Sequence, residues 1–250
     1  MSIINSYDDS EEIVKAENFT KELKRLPEIA IVCFKHELIE HVKDNKDYEE
    51  YSDMLVVGEP VNFYKTHIGE KEVVVYRTIM GAPTTVSMME EIHSRGVNKF
   101  IFFGSCGQLT NNLKKGALII PTEAYRDEGT SYHYVPESDF IKVETAPKLA
   151  EIFEKNNIDY QFTKTWTTDA FYRETVNKAK NRVSLGCDVV DMECSAIMAM
   201  AKKRNIDAYQ FLYTEDSLVE EEWDIKELAD EKTDLLKHCL DISLKIAKEI

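Results

Sequence analysis

The feature that most constrains this chain is an alternation. Short apolar runs rich in β-branched residues are separated by segments whose apolar residues recur every three or four positions. Runs at 29–34, 54–57, 73–78, 100–103, 117–120, 161–166 and 208–213 read as strands. Segments at 84–95, 146–155, 194–203 and 228–250 read as helices, with Pro147 placed in a first helical turn, where its missing N–H costs nothing. Strands that alternate with helices predict an α/β fold, a central mixed, largely parallel sheet flanked by helices on both faces. The near-continuous apolar character of the strands suits a sheet covered on both sides. A chain of 250 residues is compatible with one domain or two. No Pro/Gly/Ser-rich linker divides it, so a single domain over 28–250 is expected behind an N-terminal extension at 1–27.

Charge and cysteine usage narrow the partners. The chain carries 46 acidic against 31 basic residues, a formal net charge of −15. Such a surface repels a phosphate backbone, which argues against nucleic acid and anionic membranes. Cys33, Cys106, Cys187, Cys194 and Cys239 are odd in number, lack C-x-x-C spacing and mostly sit in apolar runs. They read as reduced, buried thiols of a cytoplasmic protein rather than disulfides or a zinc site. Residues 1–17 are polar and acidic without a signal-like apolar stretch, and no run is long enough to span a membrane. No His/Cys/Asp cluster has ligand spacing, so neither a metal nor an organic cofactor is expected.

Ligands of open α/β sheets gather beyond the carboxyl ends of strands, and several strand ends here are unusual. The run 100–103 leads into Gly104-Ser105-Cys106-Gly107, where two glycines would let backbone N–H groups and the Ser105 hydroxyl approach an oxyanion or sugar; a tight turn is the plainer reading. Asp191 and Glu193 flank Met192 within an apolar stretch that opens a helix. Either acid could cap that helix, but a buried carboxylate needs donors, and a ribose diol supplies two. Asp216 follows another apolar run; it is placed to act as a general acid, or simply to cap a helix. The loop at 125–136 holds Arg126 and His133 among tyrosines and hydroxyls, suited to line a pocket or a subunit contact. Phe171, in Thr-Asp-Ala-Phe-Tyr at 168–172, can stack on a planar base or serve the core.

Taken in order, Gly81-Ala82-Pro83 before a helix, the Gly-Ser-Cys-Gly segment, Thr-Asp-Ala-Phe-Tyr and Val-Asp-Met-Glu resemble the nucleoside phosphorylase and nucleosidase superfamily, over roughly residues 28–249. That resemblance implies a single-domain, three-layer phosphorylase/hydrolase-like fold and an enzyme that cleaves a nucleoside between base and ribose. It implies that Met192 and Glu193 hold the ribose, that Phe171 lies against the base, and that Ser105 with Gly104 lies beside phosphate and ribose. Asp216 matches the aspartate that protonates the leaving purine. The glutamine and arginine that read uracil in uridine phosphorylases have no match at 173–177, so a purine is expected. The implied partners are a nucleoside and phosphate as co-substrate, in a homo-oligomer of two to six subunits.

One departure bears on the acceptor. Phosphorolytic relatives carry an arginine-bearing phosphate segment where this chain reads Cys33-Phe34-Lys35-His36-Glu37-Leu38, and a second phosphate arginine is replaced by Phe102. Lys35, His36 or Arg126 are the cations left to substitute for those bidentate donors. Phosphorolysis is placed first because most relatives use it. The alternatives are hydrolysis, with Glu37 activating water, and a nucleoside-binding sensor without turnover.

Overall fold

Apolar runs become strands here where neighbouring strands and helices can cover them. In the computed structural model, which describes residues 2–56, 58–114, 116–219 and 233–250, the first half of the chain supplies β1 (Ile29–Cys33), β2 (Glu49–Val56), β3 (Glu59–Ile68), β4 (Lys71–Arg77) and β5 (Lys99–Gln108). The second half supplies β6 (Leu118–Asp127), β7 (Phe140–Lys142), β8 (Gln161–Thr168), β9 (Cys187–Asp191) and β10 (Asp207–Ser217). The helices are α1 (Glu17–Thr20), α2 (His36–Asp44), α3 (Ala82–Ser94), α4 (Ser131–Tyr134), α5 (Ala146–Lys155), α6 (Val176–Ser184), α7 (Cys194–Arg204) and α8 (Thr233–Glu249).

The ladder runs β10-β6-β8-β9-β5-β1-β4-β3-β2, and a further pairing joins β10 back to β5. The strands β5, β10, β6, β8 and β9 therefore close on themselves as a small barrel, from which β1, β4, β3 and β2 extend as an open sheet. Pairing is parallel for β1–β4, β1–β5, β5–β10, β6–β8 and β8–β9. It is antiparallel at the open edge, in β2–β3 and β3–β4, and in the pairs β5–β9, β6–β10 and β6–β7. The sheet is mixed, with its parallel strands at the centre, where helices cover both faces. Every residue of β1 is buried.

Helix α7 lies against α3, α4, β6 and β10 and is buried from Cys194 to Ala201. It ends where Asn205 adopts a left-handed conformation (φ 52°) after Lys202, Lys203 and Arg204, a sequence of cations that suits a helix C-terminus. Residues before 28 are pinned to this body. The Leu26 N–H donates to the Arg95 carbonyl at 2.9 Å, and the hydroxyls of Thr20 and Ser94 are 2.6 Å apart. All five cysteines are free and buried. Among the described residues no helix is long and apolar enough to cross a membrane.

The structure departs from the apolar pattern mainly at strand ends. Three strands run on past their apolar runs, β5 to Gln108, β6 to Asp127 and β10 to Ser217. Barrel closure explains this, because each extension finds a hydrogen-bonding neighbour whatever its side chains. Helix α6 has no buried residue, and β3 mixes buried with exposed polar positions, so neither carries an apolar signature. Of the strand expected at 54–57 and the helix expected at 228–250, residue 57 and residues 228–232 lie outside the described residues.

Candidate active site

Barrel closure also brings four chain segments to one place. In the β-ladder Asp216 pairs with Gly107, and Gly107 pairs with Val190 on the other side. A side chain at 107 would put its Cβ 2.9 Å from the Val190 side chain and 3.2 Å from an Asp216 carboxylate oxygen, so glycine leaves both side chains in place. At Gly104 a Cβ would lie 3.0 Å from the Phe34 ring. The Gly104–Gly107 segment is thus strand, not the turn its glycines suggest, and its glycines serve close packing of neighbours. Asp216 likewise sits within β10 and not at a helix start.

Around these strand ends lies a cavity of about 400 Å³. Gly104, Ser105, Asp191, Met192, Glu193, Phe171 and Asp216 line it, together with Phe34, Lys35, Glu174 and Gln210. Sequence-expected residues from four separate segments therefore converge on one concave surface, of a size that accepts a nucleoside-sized ligand. Three expected residues lie elsewhere. Glu37 is exposed on the first turn of α2 and does not line the cavity. Arg126 is 2% exposed, with Nε on Ser131 Oγ (2.8 Å) and Nη1 on the Pro136 carbonyl (2.7 Å) and Ser138 Oγ (2.9 Å), so its donors fold the 125–138 loop. His133 is exposed and borders a second depression, with Asp8, Glu90 and Tyr134. Of the cations considered for a phosphate, only Lys35 reaches the cavity among the described residues, and Phe102 is fully buried, stacked on Phe100.

Asp191 and Glu193 divide the work that the sequence left open between them. Asp191 Oδ2 accepts the backbone N–H groups of Glu193 (2.8 Å) and Cys194 (2.6 Å), which satisfies the start of α7. Its Oδ1 accepts the Thr165 and Thr167 hydroxyls, both at 2.8 Å. Asp191 is thus consumed by the fold, and it fixes where Glu193 points. Glu193 Oε1 accepts the Gly81 N–H at 2.6 Å. Gly81 has φ 108°, a backbone that side-chain-bearing residues avoid, and so the Gly-Ala-Pro turn into α3 serves to aim that N–H. No side chain among the described residues donates to the Glu193 carboxyl, which leaves acceptor capacity toward the cavity.

Burial dominates the electrostatics. It pushes the Glu193 carboxyl up to about 8, with the Asp191 charge adding and the Gly81 N–H opposing. Glu174 rises to about 7 through burial and then the nearby Asp216, with Lys178 opposing. Glu174 is a cavity residue that sequence reasoning missed, as is Gln210, whose side-chain carbonyl is buried without a hydrogen-bond partner. A glutamine within the apolar run 208–213 is the signal that would have flagged the latter. Glu215 was also passed over; it bonds Lys35. Among the described residues no group of three or more His, Cys, Asp or Glu is arranged to hold a metal ion.

Known proteins resemble this chain in sequence and in fold. A purine nucleoside phosphorylase, DeoD-type, from Brevibacillus brevis is 27% identical over 191 residues, covering 75% of this chain and 80% of its own. A guanosine phosphorylase from Halorubrum lacusprofundi is 24% identical over 155 residues, 59% of this chain and 62% of its own. Among solved structures, uridine phosphorylase from Vibrio fischeri superposes with a TM-score of 0.76 at 19% identity, covering 93% of this chain and 100% of that one. Purine nucleoside phosphorylase from Toxoplasma gondii, in complex with immucillin-H, gives 0.72 at 20% identity, covering 97% and 96%. The sequence profile of the Phosphorylase superfamily matches residues 28–248. With the profile spanning nearly the whole chain and the fold shared over 93% of it, the chain belongs to the phosphorylase superfamily.

Proposed function

We propose that this chain is a pentosyltransferase that cleaves the N-glycosidic bond of a purine nucleoside with phosphate, releasing free base and ribose 1-phosphate. The observation that carries this reading is the convergence of Met192, Glu193, Phe171 and Asp216 on one cavity. Glu193, oriented by Gly81 and by the Asp191-capped start of α7, accepts the ribose hydroxyls. Met192 packs on the sugar and Phe171 on the base. Asp216 supplies a proton to the departing purine, a contribution typically about 10²–10⁴-fold. A purine is favoured by the names of the sequence relatives and by an acid at the position of Asp216. Ser105, beside Gly104, faces the attacking phosphate.

A second reading, hydrolysis, has a specific observation in its favour. Lys35 is the one cation lining the cavity among the described residues, against the carboxyls of Glu174, Asp191, Glu193 and Asp216. Phosphate is a dianion that such a lining attracts weakly.

The deciding experiment follows base release from inosine, guanosine, adenosine, methylthioadenosine and uridine, with and without phosphate. Purine release that requires phosphate and yields ribose 1-phosphate is expected. Equal release without phosphate would establish hydrolysis, uridine cleavage alone would overturn the purine assignment, and no release at all would favour a nucleoside-binding sensor.

A further inference from the structure

Glu215 and Lys35 come from opposite ends of the chain and meet at the cavity wall. Lys35 Nζ lies 3.3 Å from Glu215 Oε2 and 3.4 Å from Oε1, so both carboxylate oxygens face the ammonium. The Glu215 side chain is 4% exposed and that of Lys35 33%, which makes the acid the fixed partner and the lysine the one that reaches toward the cavity. The β-ladder shows why an acid stands there. Thr214 pairs with Cys106 and Asp216 with Gly107, so Glu215 is the unpaired residue of a β-bulge. A bulge breaks the strict alternation of a strand and re-aims its side chains, a device common beside active sites. It lets two consecutive acids serve the same region, Asp216 lining the cavity and Glu215 gripping the lysine at its edge.

We propose that Glu215 governs the acceptor end of the cavity through Lys35: inorganic phosphate must take Lys35 from the Glu215 carboxylate in order to bind. A lysine ammonium has three N–H donors and no more. While both Glu215 oxygens share them, a phosphate at Lys35 gains little and sits against a second anion. Glu215 is a specificity-determining, positioning residue in this scheme and touches neither base nor ribose. Its bearing on turnover rests on the phosphorolytic reading above, whereas its bearing on phosphate binding does not.

Calorimetric titration of inorganic phosphate into the wild type, Glu215→Gln, Lys35→Met and the double variant tests this. Glu215→Gln should tighten phosphate binding about tenfold, the scale of one released charge-assisted hydrogen bond. Lys35→Met should weaken binding about tenfold or abolish it, and Glu215→Gln should bring no gain in the Lys35→Met background. In phosphorolysis the same change should appear as a lower KM for phosphate, with the KM for nucleoside moved less than twofold. Unchanged, weaker or still undetectable phosphate binding in Glu215→Gln overturns the proposal, as does a gain that persists without Lys35. Should Glu215→Gln fail to fold, Lys35→Met decides alone, since wild-type phosphate affinity in that variant removes Lys35 from the acceptor end. A wild type that shows the expected phosphate pattern but cleaves no nucleoside would sink the phosphorylase reading and not the role of Glu215.

Discussion

At the scale of residues, the buried carboxyls couple stability to pH. Glu193, pushed up to about 8, and Glu174, pushed up to about 7, both start from 4.5. The folded chain therefore holds protons that the unfolded chain has lost, and a raised carboxyl stabilises the fold fully below the unfolded value and loses that contribution as pH rises through the folded one. Melting temperature is expected to fall between about pH 4.5 and pH 8 by several degrees, on the order of a few kcal/mol. Glu193→Gln should flatten the upper part of that fall, as scanning calorimetry across the range would show; an unchanged slope would mean Glu193 ionises normally. The same variant should lower kcat/KM for the nucleoside by at least about tenfold, since the amide NH2 cannot accept where the second carboxyl oxygen could. Glu193 and Asp216 were legible in sequence as acids inside apolar runs. Glu174 was not, because it follows a short turn at Phe171–Arg173 in a polar stretch, and nothing local marks it as facing a cavity.

Among the elements, α7 and the end of β9 form one unit, joined through Asp191. Replacing that carboxylate leaves the N–H groups of Glu193 and Cys194 and the hydroxyls of Thr165 and Thr167 unpaired in the interior. Asp191→Ala is expected to cost about 3–5 kcal/mol, read from the midpoint of urea unfolding, and to lower activity by releasing Met192–Glu193 from their orientation. A cost below about 1 kcal/mol would show that α7 is held by packing alone. The helices α5 and α7 were readable to within a residue or so because they bury an apolar face against the sheet. Helix α6 was not readable, since none of its residues is fully buried. Strand β9 is only five residues long and runs straight into the acids of the site, so no apolar run announced it.

For the whole molecule, the charge balance sets how anions approach. A net charge of −15 repels a phosphate dianion over a distance that salt shortens, the Debye length being about 10 Å at 0.1 M. The KM for phosphate is therefore expected to fall about twofold as sodium chloride is raised from low values to about 0.2 M. A rise across that range would place a local basic surface at the entrance. The sequence by itself determined the α/β alternation, the buried central strands and the acids at strand ends, because each follows from the local pattern of apolar and charged residues. Only the tertiary structure decided which of those acids hold the fold and which line the cavity. Closure of β5, β10, β6, β8 and β9 into a barrel placed Asp216, Gly107 and Val190 in one row. It turned Asp191 to the fold and Glu193 to the cavity, kept Arg126 for its own loop, and set Glu215 on Lys35 across 180 positions of sequence. Those pairings depend on register and on a bulge in β10, and neither is written in the periodicity of any one segment.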